Sequence, residues 1–127
     1  MSGSDHDVSK EGEVQRMLEA IERAYGFVPL VNQVLSADPG FFVPQVELSK
    51  AVFMGPGALT ERERELVAIG AASASCAEHC MDVHIKHAKR LGVGRDGVME
   101  AMMVGSMIAM NKTQSYAFRK LKESFEE

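Results

Sequence analysis

The apolar residues of this chain recur with the spacing of an α-helix along nearly its whole length. In the first such stretch Val14, Leu18 and Ile21 fall on one stripe. No segment shows the sustained alternation of polar and apolar residues that is typical of a half-buried strand. The pattern therefore predicts an all-α protein, a compact bundle of about six to seven helices.

Capping residues and glycines divide this pattern into separate helices. Thr60 and Glu63 fit a capping box, and Gly92 is well placed to end a helix in the left-handed conformation. Ser75 and Glu78 fit a second possible capping box, which would start a new helix, although a continuous helix through residues 73–75 is the alternative. We expect a first helix at about 9–25, a short second helix that begins at 27–29, a third at about 39–54 and a fourth that begins after Thr60. A fifth is expected at about 76–91, and two more at about 95–110 and 112–126.

Length and composition indicate an ordinary folded protein. The 127 residues, of which 46% are hydrophobic and 25% charged, fit a single domain over 9–127 after a mobile N-terminal tail at 1–8. A net charge of −4 argues against nucleic acid as a partner. No apolar run approaches the roughly 20 residues of a membrane span, and the polar N-terminus does not resemble a signal peptide, so we expect a cytoplasmic protein.

The stretch from Val98 to Met110 is apolar on almost every side of the predicted helix. Such a helix is normally buried all round, and a chain of this length has little room to surround it. We therefore expect part of this helix to lie in an interface between subunits.

Two cysteines and two histidines follow one another at helical spacing. Cys76, Cys80, His84 and His87 are separated by four, four and three residues and share one stripe, with His79 on its flank. A helix N-terminus favours the thiolate, and a neighbouring histidine can accept the thiol proton. Residues four apart on a helix have Cα atoms about 6 Å apart, within the disulfide range. The stripe is thus typical of redox chemistry.

Two other interpretations of the stripe stay open. Zinc binds cysteine and histidine, but Cys76 and His87 would lie roughly 16 Å apart along one helix, so four ligands cannot surround one ion. A two-ligand half-site completed by another subunit remains an alternative. The second alternative is two buried cysteines with surface histidines, without any redox or metal chemistry.

Three motifs, together with the stripe, carry a family resemblance. They are Gly26-Phe27-Val28-Pro29-Leu30, the acidic helix start from Leu59 to Leu66, and Cys76 to His84 followed by Ala88 to Gly92. From about Gly26 to Phe118 the chain resembles the alkylhydroperoxidase D and carboxymuconolactone decarboxylase family. The resemblance implies a small all-helical protein that assembles as a trimer or hexamer.

The resemblance also implies roles for particular residues. Cys80 falls on the peroxidatic cysteine, His79 on the histidine before it, His84 on the distal histidine and Glu65 on the catalytic glutamate. The family's alkylhydroperoxidases have two residues between their cysteines, whereas this chain has three, so Cys76 stands one residue before the usual resolving position. His87 matches no family position, and we expect it to be exposed.

The implied activity is that of a thiol-dependent peroxidase or disulfide oxidoreductase with an antioxidant role. Glu65 and His84 would relay the proton of Cys80, and Cys76 would resolve the oxidised Cys80. The substrate would be a small peroxide or disulfide, and a thioredoxin-like or lipoyl dithiol would restore the thiols, without a metal or cofactor.

Two alternatives accompany this function. The first is a carboxymuconolactone decarboxylase-type lyase, which other members of the family represent and which has no use for two thiols. The second is a non-enzymatic redox sensor or metal-binding oligomer.

Overall fold

The computed structural model describes residues 3–126, with side chains from residue 9 onward, and this part of the chain forms six helices and no strand. The helices are α1 (Gly3–Tyr25), α2 (Leu30–Leu35), α3 (Pro39–Phe53), α4 (Glu61–Ser75), α5 (Glu78–Arg90) and α6 (Arg95–Phe125). The prediction of an all-α fold is confirmed.

The first helix begins earlier than the sequence pattern suggests. We expected it to start near Ser9, but α1 includes residues 3–8, which we had assigned to a mobile tail. Met1 and Ser2 lie outside the described residues, and the mobility of 1–8 stays a prediction. The helix ends at Tyr25, and Gly26 follows with a φ of +83°, which glycine adopts without strain.

The last two predicted helices form a single helix in the structure. We expected a break between Met110 and Lys112, but α6 continues through both residues to Phe125. The sequence changes from apolar to polar at this point, but that change does not end the helix. Asn111 costs less than about 1 kcal/mol in a helix interior, and neither glycine nor proline interrupts the chain there.

The described chain divides into two compact units, Met1–Ala58 and Leu59–Glu127, and the single domain predicted over 9–127 stays a prediction. In the first unit α3 packs against α1 and α2 around a core of Val14, Ile21, Phe42 and Val46. In the second unit α4 packs against both α5 and α6. The core of the second unit is formed by Ile69, Ala88 and Val93.

Two glycines allow α4 and α6 to approach each other closely. Gly105 of α6 is buried, and a Cβ atom built on it would lie 2.7 Å from the carbonyl carbon and 2.9 Å from the Cα of Gly70 in α4. Both contacts are with backbone, which cannot move aside as a side chain can. The packing of α6 on α4 therefore requires a residue without a side chain at position 105.

Much of the apolar surface of α6 is exposed within the described chain. The exposed side chains include Met99, Met103, Val104, Met107 and Ile108. The second unit alone therefore does not bury this helix all round, and the predicted subunit interface stays a prediction. None of the helices in the described part combines the length and apolar content that a bilayer span requires.

We expect Gly105→Ala to lower the free energy of unfolding by about 2 kcal/mol, because the added methyl group overlaps the α4 backbone. Gly40→Ala, in α3, is the control, because a Cβ atom built on Gly40 would have no neighbour within 4 Å outside the backbone of its own helix. Urea denaturation of the three proteins measures the difference. A Gly105→Ala protein as stable as the wild type would contradict the close helix contact.

Candidate active site

The capping box at the start of α4 sets the position of Glu65. The Thr60 side chain accepts a hydrogen bond from the Glu63 N–H (3.1 Å), and the Thr60 N–H donates to Glu63 Oε1 (2.8 Å). The predicted capping box is thus present and starts the helix at Glu61. One turn later Glu65 turns inward, and only 3% of its surface is exposed. Glu65 is therefore a buried acid and not a solvated first-turn residue.

Two histidines of α5 bind the buried carboxylate of Glu65. His84 Nδ1 lies 2.7 Å from Oε2, and His87 Nδ1 lies 3.2 Å from Oε1. The histidine side chains are themselves largely covered, with 13% and 20% exposed. Each carboxylate oxygen thus has its own imidazole partner, and the three side chains link α4 to α5.

The environment of Glu65 favours its charged form. Burial alone would raise the pKa of Glu65, but the hydrogen bonds and the attraction of His84 and His87 outweigh it and lower the pKa below the ordinary value. An ionised carboxylate only accepts hydrogen bonds, so both histidines donate through Nδ1–H. When the ring is neutral, this hydrogen bond leaves the lone pair of His84 on Nε2, which is then the basic atom of the ring.

Cys76 lies between α4 and α5, not in the first turn of α5. Its N–H donates to the Ser73 carbonyl (3.4 Å), and the next N–H, of Ala77, donates to the Ala72 carbonyl (2.9 Å). This is the hydrogen-bond pattern of a Schellman motif that ends α4. The second predicted capping box is therefore wrong: the Ser75 hydroxyl donates back to the Ala71 carbonyl, inside α4.

This position changes the geometry expected for the two cysteines. Because α5 begins at Glu78, Cys76 is not on the helical stripe of Cys80 and His84. The Cα separation of about 6 Å expected for two residues four apart on one helix does not apply to this pair. The two cysteines are joined instead by a turn.

Cys76 has a left-handed backbone conformation, with φ 55° and ψ 39°. It is the only described residue other than glycine with a positive φ. The same hydrogen-bond pattern ends α5, where Gly92 stands in the corresponding position with a φ of +83°. A side chain in this conformation costs about 1–2 kcal/mol. Strain of this kind is concentrated at functional sites, which makes Cys76 a candidate for a functional role.

Cys80 is the third residue of α5, in the turn where the helix dipole favours a thiolate. Both cysteines are exposed free thiols. His79 precedes Cys80 and is exposed, as its position on the flank of the stripe suggested. His84 follows Cys80 by one turn on the same face of the helix. The arrangement provides a thiol, a histidine one turn away and a buried carboxylate behind that histidine.

The environment of His87 differs from the prediction. We expected an exposed helix residue, but the structure pairs it with Glu65. Its spacing of three from His84 was the available signal, because it puts both rings on one face of α5. The spacing indicates a shared carboxylate only because Glu65 is buried opposite that face. Among the described side chains, no group of three or more histidines, cysteines or acids could hold a metal ion.

We expect Cys76→Gly to be more stable than Cys76→Ala by about 1 kcal/mol, because only glycine adopts the left-handed conformation without strain. Both variants remove the thiol, so their difference isolates the backbone conformation. Urea denaturation under reducing conditions measures it. Equal stability of the two variants would be evidence against a strained Cys76.

We expect the stabilising contribution of Glu65 to depend on pH. Because its folded pKa is lowered, the contribution is present above the unfolded value near 4.5 and is lost as the pH falls through the folded value. The difference in unfolding free energy between wild type and Glu65→Gln should therefore shrink as the pH falls below 4.5. Glu61→Gln, at an exposed acid of the same helix, is the control. A difference that grows in this range would contradict the lowered pKa.

Comparison with known proteins identifies the family. The sequence profile described as the carboxymuconolactone decarboxylase family matches residues 39–123. A curated protein of Paracoccus denitrificans, "Uncharacterized protein 4 in cox locus", is 32% identical over 74 residues, which cover 58% of this chain and 66%, just under two thirds, of that protein. No solved structure matches the chain significantly. Because the profile covers more than half of the chain, this protein belongs to the carboxymuconolactone decarboxylase family, which includes enzymes.

Proposed function

We propose that this protein is a thiol-dependent peroxidase or disulfide oxidoreductase in which the Cys80 thiolate is the nucleophile. The observation that carries the proposal is the buried pair of Glu65 and His84, one helical turn from Cys80. A carboxylate that fixes the tautomer of a histidine, which in turn serves a nucleophile, is a recurring catalytic arrangement. The start of α5 adds a favourable dipole for the thiolate.

The first half of the proposed reaction oxidises Cys80. His84 Nε2 accepts the proton of the thiol, and the thiolate attacks one oxygen of a hydroperoxide. The O–O bond breaks, Cys80 becomes a sulfenic acid, and the leaving alkoxide takes the proton from His84 to form an alcohol. Glu65 stabilises the imidazolium while it exists. With a disulfide as substrate, the same thiolate attacks sulfur and releases a thiolate instead.

The second half restores the enzyme. The Cys76 thiol gives up its proton and attacks the sulfur of the Cys80 sulfenic acid, the S–O bond breaks as the disulfide forms, and the leaving hydroxide takes that proton and departs as water. A thioredoxin-like or lipoyl dithiol then reduces this disulfide by exchange and is itself oxidised. The exposure of both cysteines and the turn between them support this role for Cys76. His79, exposed beside Cys80, is proposed to assist proton transfer at the thiol.

The exposed surface of α6 supports a further part of the proposal, a trimer or hexamer. An open apolar groove of 670 Å³ between α4 and α6 is lined by residues that include Val67, Val104 and Ile108. Association of subunits would bury these side chains, which a monomer leaves in contact with water.

The second candidate function is the lyase activity for which the family is named, and the family profile is the observation that favours it. Carboxymuconolactone is anionic, and the decarboxylation needs a general acid and no thiol. The lowered pKa of Glu65 makes that residue a poor acid, which favours the thiol reaction. Turnover of the lactone by a variant without either cysteine would favour the lyase.

We expect Cys80→Ser to lose at least about 100-fold in hydroperoxide turnover with a dithiol donor, since the nucleophile is removed. A single-turnover experiment without reductant separates the two cysteines. Wild type should lose two thiols per peroxide consumed. Cys76→Ser should consume one peroxide and retain a sulfenic acid that dimedone traps, and Cys80→Ser should consume none. Undiminished turnover by Cys80→Ser would refute the proposed function.

A further inference from the structure

His87 has no part in the reaction proposed above, yet it binds one of the two oxygens of the Glu65 carboxylate. Its Nδ1 lies 3.2 Å from Oε1, and four fifths of its side chain is covered. His84 binds the other oxygen, Oε2. The two imidazoles therefore share one buried carboxylate and approach it from the same helix.

The second hydrogen bond matters because of where the carboxylate lies. The Glu65 side chain is only 4% exposed, so water contributes little to stabilising its charge. Without His87, Oε1 would lose its partner, and a buried acceptor without a partner disfavours the charged form. Among the described residues, no buried side-chain oxygen or nitrogen lacks a hydrogen-bond partner, so the site as it stands is fully satisfied.

Within the described part of the chain, the hydrogen bonds and charges that favour ionised Glu65 come from His84 and His87, both on α5. On α4, Arg62 directs its guanidinium to the Gly92 carbonyl at 3.5 Å. From α6, the apolar side chains of Val98, Ala101 and Met102 pack against the core of this unit, and the exposed Glu100 lines the groove between α4 and α6.

We propose that His87 is a positioning residue of the active site. By donating its Nδ1–H to Oε1, it fixes the ionised Glu65 carboxylate so that Oε2 orients His84 with Nε2 as the base for Cys80. This role rests on the proposed thiol reaction, but the hydrogen bond itself does not.

The role has a consequence for pH dependence. Loss of the His87 donor makes ionised Glu65 less favourable and raises its pKa. A protonated Glu65 no longer accepts the Nδ1–H of His84 in the orientation that makes Nε2 the base for Cys80, so the relay is lost at a higher pH. The acidic limb of the pH profile of kcat/KM therefore moves to higher pH, while the plateau at high pH is unchanged.

The test compares His87→Ala, which removes the donor, with His87→Asn, whose side-chain amide nitrogen matches the position of Nδ1. Lys89→Ala, at an exposed position of α5, is the control. We expect the acidic limb of His87→Ala to move up by about one pH unit, which lowers kcat/KM about tenfold on that limb. His87→Asn and Lys89→Ala should keep the wild-type profile.

Two results would overturn the proposal. One is a His87→Ala profile that superimposes on that of wild type. The other is a loss of kcat/KM by the same factor at every pH, accompanied by a lower melting temperature, which would indicate a merely structural role.

A second measurement uses the resting wild-type protein and requires no turnover. Long-range 15N–1H spectra should show a proton on Nδ1 of both His84 and His87, and a His87 whose only ring proton is on Nε2 would refute the hydrogen bond. If Cys80→Ser keeps full turnover, the proposed reaction fails, and these spectra still decide whether His87 positions Glu65.

Discussion

The structure around the candidate active site depends on one buried carboxylate. Glu65 lies inside the second unit with 3% of its surface exposed, and an isolated charge there would be strongly unfavourable. His84 and His87 make it favourable by binding one oxygen each. Because the acid is on α4 and both histidines are on α5, the interaction fixes the rotation of α5 relative to α4. It thereby determines which side chains α5 directs inward, and His84, one turn after Cys80, is one of them.

Two further constraints keep this arrangement in place. The Gly70–Gly105 contact holds α6 tightly against α4, so that α4 packs against both α5 and α6. The Schellman motif at Cys76 ends α4 abruptly and lets α5 begin two residues later. At the end of α5 the chain uses glycine in the corresponding position. A cysteine in a position where glycine would be unstrained makes Cys76 a candidate for a functional role.

Local signals in the sequence were reliable where the interaction is local. The capping box at Thr60 and the glycine ends at Gly26 and Gly92 depend only on residues a few positions apart, and all three are present. The capping box predicted at Ser75 is absent, because its hydroxyl has two possible local partners. It could accept from the backbone of the next helix, but it donates to the carbonyl one turn back in α4. Local signals also failed near Lys112, where a change in polarity marks the end of the packed region of α6 and not the end of the helix.

The sequence by itself determined the helical class, most helix boundaries and the identity of the residues that can perform chemistry, because periodicity, caps and residue types are properties of short segments. The resemblance based on those residues agrees with the family that the comparison identifies. Tertiary structure alone decided that Glu65 is buried and that His87 is its second partner. These two residues are 22 positions apart, and only the packing of α5 on α4 brings their side chains together. It also decided that Cys76 stands in a turn outside the helix of Cys80, because the end of α4 depends on which backbone hydrogen bonds form there.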